Sequence, residues 1–508
     1  MSGIVYLVGA GPGDPGLLTV RARELLATCD AIAADALANP AIVAAAREDN
    51  PRAELHDVGK RGGSGESARQ EAINDLLVRL GRQGKRVVRL KGGDPLVFGR
   101  GSEEAQALAE AGVAFEIVPG VTAGVAAAAY AGIPVTHRGT ATAVTFVTGH
   151  EDPAKGEQQT DWASLARAGG TIVLYMGVKT LPRIAAALTA GGMSADTPAA
   201  AVQWGTYAHQ RTVTATVSTL TEAIRREGLE APVITVIGPV VSLRETIAWF
   251  DNRPLFGKRI VVTRARSQAA SLSERLTAAG AQVIEMPATQ IEPMDAAVIE
   301  GAITQLSQYG WIVFTSQNAV RIFWDALRGQ SLDARALASV KIAAVGPSTA
   351  SALFDRGLAV DVAPDRFVAE ALLDALRDRR DVRGTRVLYA AAEGAREVLQ
   401  EGLEELGAVV DRIELYRSVR DGEGAEKLRA LLLDAEADLV TFTSASSVNA
   451  FVEAVGTDAA HCAPAACIGP ITLAAAAAHG IDVVVEARES TIAGLVDAIN
   501  EHFMMARL

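Results

Sequence analysis

Residues Val87 to Gly101 read Val-Val-Arg-Leu-Lys-Gly-Gly-Asp-Pro-Leu-Val-Phe-Gly-Arg-Gly. This stretch limits the fold of the first half of the chain more tightly than any other. Val87 to Leu90 has the β-branched, apolar character of a short buried strand, broken only by Arg89. Gly92-Gly93-Asp94-Pro95 then imposes a sharp turn that carries one carboxylate. Without a Cβ, the two glycines let a ligand approach backbone amides, and the carboxylate can accept from a ribose hydroxyl or an amine. Taken alone, the stretch reads first as a plain strand-to-helix turn with Pro95 opening the helix. A second glycine-rich strand end in the same half, Gly9 to Gly16, tips the reading toward a ligand site.

That second end follows an apolar strand, Ile4 to Val8, and reads Gly9-Ala10-Gly11-Pro12-Gly13-Asp14-Pro15-Gly16. It is not a dinucleotide fingerprint, because G-x-G-x-x-G needs glycine where Asp14 stands. Its two prolines stiffen the loop, which suits packing against a flat ligand better than wrapping a pyrophosphate. Further strands are expected at Phe115 to Val118, Ala143 to Thr148, Thr171 to Met176, Ala199 to Gln203 and Val233 to Ile237. Helices are expected at Ala68 to Gly81, Ser102 to Ala111 and Leu181 to Ala190. The alternation is that of an α/β protein. Pro119-Gly120 divides it into domains at 1–118 and 119–245, with a linker at 246–256.

The second half repeats itself. Gly257 to Thr263 matches Gly384 to Ala390. Ile312-Val313-Phe314-Thr315-Ser316 matches Val440-Thr441-Phe442-Thr443-Ser444, and Ala344-Val345-Gly346-Pro347-Ser348-Thr349 matches Cys467-Ile468-Gly469-Pro470-Ile471-Thr472. Each unit reads strand, Thr-Ser turn, helix, strand, Gly-Pro turn, helix. Two open α/β lobes facing each other would set these turns around one cleft, at the strand ends where ligands bind. The same hydroxyls also read as N-caps of the helices that follow them.

At 508 residues, the chain has length for roughly three or four domains. A formal charge of -12 with no block of like charges argues against nucleic acid or an anionic membrane as partner. Three cysteines, Cys29, Cys462 and Cys467, make neither a disulfide framework nor a four-thiolate zinc site, and they fit a reducing cytoplasm. No metal is expected. Residues 1 to 20 lack a basic region followed by an apolar core, so no signal peptide is expected. The uncharged Ile117 to Thr136 carries prolines at 119 and 134 and reads as a tightly packed Ala/Gly helix with glycine turns, not a membrane span.

These residues resemble two families, one in each half. Over nearly all of residues 3 to 250 the chain is similar to uroporphyrinogen-III C-methyltransferase. The likeness is carried by Val8 to Thr19 and Val87 to Gly101, with Val118 to Ala123, Gly132 to Arg138, Thr148-Gly149-His150 and Tyr175-Met176-Gly177 in support. From about 257 to 500 it resembles uroporphyrinogen-III synthase, through the repeated turns and Leu415-Tyr416. The resemblance implies a two-domain tetrapyrrole methylase fold followed by a two-lobe open α/β synthase fold. One lobe would be discontinuous, 257–290 with 417–508, around an inner lobe at 291–416.

For the first half the resemblance implies S-adenosylmethionine as methyl donor, held between the two domains by Pro12, Gly92, Gly93, Asp94, Val97, Thr122, Ala123, Met176 and Gly205. It also implies a proton acceptor at Asp35 and a proton donor at Lys60. Without it, Asp35 reads as a capping or solvated carboxylate and Lys60 as a surface charge. The family often has bulkier neighbours where Ala34 and Ala36 stand, and commonly Gly-Glu where this chain has Gly238-Pro239. Arg61, Arg100, His137 and Arg138 are the basic residues available to a substrate with eight carboxylates.

For the second half it implies cyclisation of hydroxymethylbilane, with Tyr416 as acid at the departing hydroxyl and Ser316, Thr349, Ser444 and Thr472 holding substrate carboxylates. Tyr416 reads equally as a core tyrosine with a satisfied hydroxyl. Together the halves imply a bifunctional enzyme with hydroxymethylbilane and uroporphyrinogen III as substrates, precorrin-2 as product and a homodimer formed through the methyltransferase half. The sirohaem and cobalamin branches stay equally open. Two other readings stand beside it. One keeps the methyltransferase and makes the second half a non-catalytic tetrapyrrole-binding module. The other is a nicotinamide oxidoreductase built on the Gly9 loop, which Asp14 opposes.

Overall fold

The structure is a computed structural model that describes residues 3–59, 66–150, 160–263, 266–285, 289–364, 369–377, 379, 381–395, 397–420 and 422–506. Its contacts divide the chain into two units. One is Met1–Lys258 with Leu276–Gln282 and Phe503–Leu508; the other is Arg259–Arg275 with Val283–His502.

The first unit contains two sheets. Strands β1 (Ile4–Gly9), β2 (Ala31–Ala34), β3 (Glu54–Asp57), β4 (Arg86–Lys91) and β5 (Ala114–Val118) form one of them, in the order β3-β2-β4-β1-β5. Every pairing is parallel. Parallel strands with helical crossovers are covered on both faces and so read as continuous apolar runs. Val5, Leu7, Ala31, Ala33 and Val87 pack into one core layer, and the alternate residues Tyr6, Val8, Ile32, Ala34, Val88 and Leu90 into the other. The connection after β1 leads toward β2 and the one after β4 toward β5, on opposite sides. The turns that follow these two neighbouring strands therefore lie at the switch point of the sheet.

The second sheet joins β6 (Val144–Thr148), β7 (Thr171–Tyr175), β8 (Pro198–Gln203), β9 (Arg211–Thr216) and β10 (Val233–Ile237) in the order β6-β7-β10-β8-β9. Only β6 and β7 run parallel; the other neighbours are antiparallel. Alternation again splits its residues between two layers, Ile172, Leu174, Ala199 and Ala201 on one face and Val173, Tyr175, Ala200 and Val202 on the other. The uncharged segment around residue 125 is an eight-residue helix, Ala123–Tyr130. No helix among the described residues is long and apolar enough to cross a membrane.

The second unit has two lobes. β11 (Arg259–Val262), β12 (Gln282–Glu285), β18 (Leu439–Phe442), β19 (Ala465–Cys467) and β20 (Val483–Glu486) form a sheet ordered β12-β11-β18-β19-β20. Between them in sequence, β13 (Thr289–Pro293), β14 (Trp311–Phe314), β15 (Lys341–Ala344), β16 (Arg386–Ala392) and β17 (Val409–Arg420) form the inner sheet, β13-β17-β16-β14-β15. The fold is therefore two open α/β lobes, one of them discontinuous. β17 runs past residue 416 to Arg420, and its last residues pair with β13 from Thr289 onward. The sequence repeat does not coincide with the lobes: β11 pairs with β18, and β16 pairs with β14.

Candidate functional site

In the first unit the carboxyl ends of β1 and β4 are stitched together. Gly11 and Gly93 form a bridge, the Gly93 amide donating to Gly11 O at 2.7 Å and the Gly11 amide to Gly93 O at 3.2 Å. Two glycines, Gly9 and Gly120, make this close packing possible. A Cβ on Gly9 would lie 2.6 Å from Gly120 Cα, and one on Gly120 would lie 2.4 Å from Gly93 O. Gly93 differs, because at φ +69° its Cβ position is 3.5 Å from the Ala123 amide nitrogen and 3.9 Å from Thr122 Cα. A methyl group there would be in ordinary van der Waals contact with the start of the helix Ala123–Tyr130.

Asp94 clasps this turn. Its Oδ1 accepts from the amides of Leu96 at 2.8 Å and Val97 at 3.2 Å, and its Oδ2 accepts from Gly120 at 3.1 Å. A carboxylate has about four lone-pair positions, so most of its accepting capacity goes to the backbone. Pro95 does not open a helix; the next one starts at Gly101, whose amide donates to Pro95 O at 2.9 Å. Val97 and Ala123 pack together on the core layer that holds Tyr175.

Tyr175 is a residue that sequence reading quoted in a motif but gave no role. Its hydroxyl accepts from the Gly124 amide at 2.7 Å and lies 2.7 Å from Thr122 Oγ1. It thus serves the first turn of the helix, where an N-cap side chain would otherwise act. Burial, above all, raises its pKa; the bonds to Thr122 and Gly124 lower it and the charge of Asp94 raises it. The ring of Phe98 stands 4.9 Å from that of Tyr175.

Asp14, read from sequence only as a departure from a fingerprint, ties the proline loop to the second sheet. Its amide donates to Thr206 Oγ1 at 2.9 Å, and its Oδ2 accepts from the Tyr130 hydroxyl at 2.7 Å. Pro12 sits half-buried between the Gly11 bridge and this clamp. Gly205 completes the contact, since a Cβ there would stand 2.3 Å from Ala127 Cβ.

Among the described residues, non-glycine positions with positive φ are Phe98, Arg100, Met176, Trp204, Thr206, Ser331 and Ala435. All but the last two fall on the turns just described or beside them. Strained backbone held in place by its surroundings gathers at binding and catalytic sites. Met176 is 54% exposed and Leu96 50%, which leaves soft apolar surface beside polar backbone. Such a mixed surface suits a ligand carrying a flat ring, a ribose and an amino acid group. The glycine turns and the start of the helix Ala123–Tyr130 present backbone without bulky side chains, which fits the S-adenosylmethionine that the resemblance implies.

Asp35 follows β2 at the same edge of the sheet. Its amide donates to Leu90 O at 3.0 Å, and its Oδ1 accepts from the Ala36 amide at 2.8 Å. The turn it starts abuts Gly92, whose Cβ would lie 2.7 Å from Leu37 Cβ. Lys60 and Arg61 lie outside the described residues. Gly59, the residue before Lys60, is seated on the Asp35 turn, with its Cβ position 2.2 Å from the Ala36 nitrogen. Arg100 is engaged by Glu103 through two bonds of 2.9 and 2.7 Å. His137 and Arg138 are exposed, the His137 Nδ1 lying 3.1 Å from Thr140 Oγ1.

In the second unit the structure brings two of the five expected residues together. Ser316 Oγ lies 2.9 Å from the Tyr416 hydroxyl and accepts from the Ala319 amide at 3.1 Å, capping the helix Gln317–Gly329. Ser444 likewise caps Ala445–Val455, in a capping box with Ser447. Thr349 and Thr472 are 2% and 4% exposed. Among the residues of those turns whose burial is described, Pro347 is exposed in one and Pro470 with Ile471 in the other. The capping role that the sequence left open is thus occupied at both serines.

Two family models match the chain. Tetrapyrrole (Corrin/Porphyrin) Methylases matches residues 4–221 and Uroporphyrinogen-III synthase HemD matches residues 270–497. A porphyrin biosynthesis protein HemD of Ruminiclostridium josui is 38% identical over 500 residues, 98% of each chain. A uroporphyrinogen-III C-methyltransferase of Synechocystis sp. is 48% identical over 252 residues, 49% of this chain and 94% of its own. Among solved structures, a uroporphyrin-III C-methyl transferase from Thermus thermophilus complexed with S-adenyl homocysteine is 37% identical. It covers 47% of this chain and 99% of its own, with a TM-score of 0.40. With a relative matched end to end and a family model on each half, the chain belongs to the proteins that join a tetrapyrrole methylase to a uroporphyrinogen-III synthase of the HemD type.

Proposed function

We propose that the chain catalyses two consecutive steps of tetrapyrrole synthesis. The second half closes hydroxymethylbilane to uroporphyrinogen III, and the first half methylates that product twice to give precorrin-2. The observation that carries the reading is the Gly11–Gly93 bridge, whose Gly93 borders Thr122 and Ala123 at the start of the helix Ala123–Tyr130. S-adenosylmethionine supplies an electrophilic methyl group there. Gly93 and the start of the helix Ala123–Tyr130 bind its polar edges, Asp94 keeps the turn shaped for it, and Met176 covers it with a polarizable side chain. The main demand on these residues is alignment, since position accounts for much of such a barrier. Asp35 takes the proton that the ring system releases elsewhere as its double bonds rearrange, the methylated carbon itself staying quaternary.

In the second half Tyr416 would donate to the departing hydroxyl, while the turn backbones at Gly346-Pro347 and Gly469-Pro470 would hold substrate carboxylates. A second reading makes this half a binding module without catalysis. The burial of Thr349 and Thr472, and of Tyr416 at 8% exposure, favours it.

Mixing the purified chain with hydroxymethylbilane and S-adenosylmethionine tests the proposal. A dimethylated product of the type III isomer supports it. Uroporphyrin I alone overturns it. Methylation of added uroporphyrinogen III without closure of hydroxymethylbilane selects the second reading.

A further inference from the structure

β4 carries two cations into the interior. Arg89 and Lys91, on the same face, are 2% and 3% exposed, and Glu104 of the helix Gly101–Glu110 is 0% exposed. Glu104 Oε1 accepts from Arg89 Nε at 3.1 Å, from Lys91 Nζ at 2.9 Å and from Gln70 Nε2 at 3.3 Å. Its other oxygen, Oε2, is buried and has no hydrogen-bond partner. Two cations against one carboxylate leave an excess positive charge away from water, which is costly unless a further anion faces it. That anion is Asp35. Arg89 Nη2 stands 4.0 Å from Asp35 Oδ2, while Arg89 Nη1 donates to the carbonyls of Ala33 at 3.3 Å and Leu90 at 3.4 Å. With Asp35 counted, two positive and two negative groups balance.

Among the described residues, Asp57 of β3 also stands beside this turn, its Oδ1 accepting from the Gly59 amide at 3.0 Å. Burial first and the repulsion of Arg89 second lower the pKa of Lys91, as crowding of the two cations requires.

We propose that Arg89 is a positioning residue for methyl transfer. Its guanidinium, fixed from behind by Glu104 and two backbone carbonyls, attracts Asp35 Oδ2 across 4.0 Å while the Ala36 amide hydrogen-bonds Oδ1. The carboxylate is thereby aimed at one point of the cleft edge. Arg89 itself is buried and touches neither substrate nor methyl donor. The inference rests on the reading of Asp35 as proton acceptor.

A double-mutant cycle in the full chain tests it, with turnover followed by release of S-adenosylhomocysteine from uroporphyrinogen III and S-adenosylmethionine. Arg89→Met lowers kcat by about 100-fold, the scale of a misplaced catalytic group, and Arg89→Lys recovers part of it. Binding of S-adenosylhomocysteine, measured by calorimetry, stays within about threefold of the unaltered protein in both variants. In an Asp35→Asn background, Arg89→Met has little further effect. Should Arg89→Met fail to fold, Arg89→Lys completes the same cycle. Equal fold losses in the two backgrounds overturn the positioning role while leaving Asp35 as base. An Asp35→Asn variant as fast as the unaltered protein overturns the base reading, and the inference with it.

Discussion

Ser316 Oγ lies 2.9 Å from the Tyr416 hydroxyl and also receives the Ala319 amide at 3.1 Å. A serine hydroxyl has one proton and two acceptor positions. With one position filled by the helix amide, Ser316 can donate its proton to Tyr416, which frees the phenolic proton for a third group. The two ends of the pair then separate stability from chemistry. Ser316→Ala removes a helix cap, worth about 1 kcal/mol, and strips a buried phenol of its partner, worth about 1–3 kcal/mol. Tyr416→Phe keeps the cap and costs about 1 kcal/mol or less. Denaturant unfolding is expected to rank Ser316→Ala as the less stable variant. Formation of uroporphyrinogen III is expected to fall at least about tenfold in Tyr416→Phe. Unchanged isomer yield in that variant removes Tyr416 from the chemistry.

Gly93 and Gly120 touch each other yet should respond differently to an added methyl group. At Gly120 the Cβ would meet backbone atoms at 2.4 and 2.8 Å, and two turns would have to part. At Gly93 the nearest atom is 3.5 Å away, and the cost is the strain of φ +69°, about 1 kcal/mol. Gly120→Ala is expected to lower the melting temperature sharply. Gly93→Ala should stay folded and weaken S-adenosylhomocysteine binding by about tenfold or more, equivalent to about 1.4 kcal/mol. Calorimetry on the two variants checks the contrast, and intact affinity in Gly93→Ala takes the ligand away from Gly93.

Two buried thiols set an alkaline limit. Burial pushes Cys29 and Cys467 each up to about 11, from an ordinary value of 9.0. In the unfolded chain the thiols lose their protons near pH 9, while the folded chain keeps them. The native state therefore binds more protons between about pH 9 and 11, and stability falls as pH rises through that window. Urea unfolding at pH 8, 9.5 and 10.5 should show the decline, and Cys29→Ala with Cys467→Ala should flatten it. At pH 8 an alkylating reagent should modify the exposed Cys462 in the native protein and reach the other two only after unfolding.

The sheets are legible in the sequence because parallel strands covered on both faces must be apolar throughout, as Ile4 to Val8 and Val87 to Leu90 are. Glycine turns are legible because close backbone approach admits nothing else. What escapes is any role that depends on a partner far away in the chain. Asp14 reads as a missing glycine until Tyr130 and Thr206 come to meet it. Glu103 and Glu104 are neighbours of one type, and nothing in the sequence separates them. One pairs with Arg100 in solvent, and the other is wholly buried against Arg89 and Lys91. β17 also departs from strict period-two alternation. A register shift between Ala391 and Ala392 gives β17 one extra residue, so Leu415 and Tyr416 both join the core of the inner lobe. Bulges of this kind carry no signature that composition or spacing reveals.

Met176 holds a left-handed backbone, φ 52°, with its side chain 54% exposed. That arrangement has a cost, because an L-residue there brings Cβ against a carbonyl and loses roughly 1–2 kcal/mol. Nothing in packing repays it, since more than half of the side chain is in solvent. Strain without a packing return is expected where the residue acts on a ligand. Met176→Gly should therefore raise stability by about 1 kcal/mol, because glycine adopts this φ freely. The same change should slow methyl transfer by about tenfold or more, since the soft side chain that covers the methyl donor is gone. Denaturant unfolding and turnover on one preparation decide the matter. A variant that gains stability and keeps full activity would show the strain to be incidental, and one that loses both would place Met176 in the structural core of the turn.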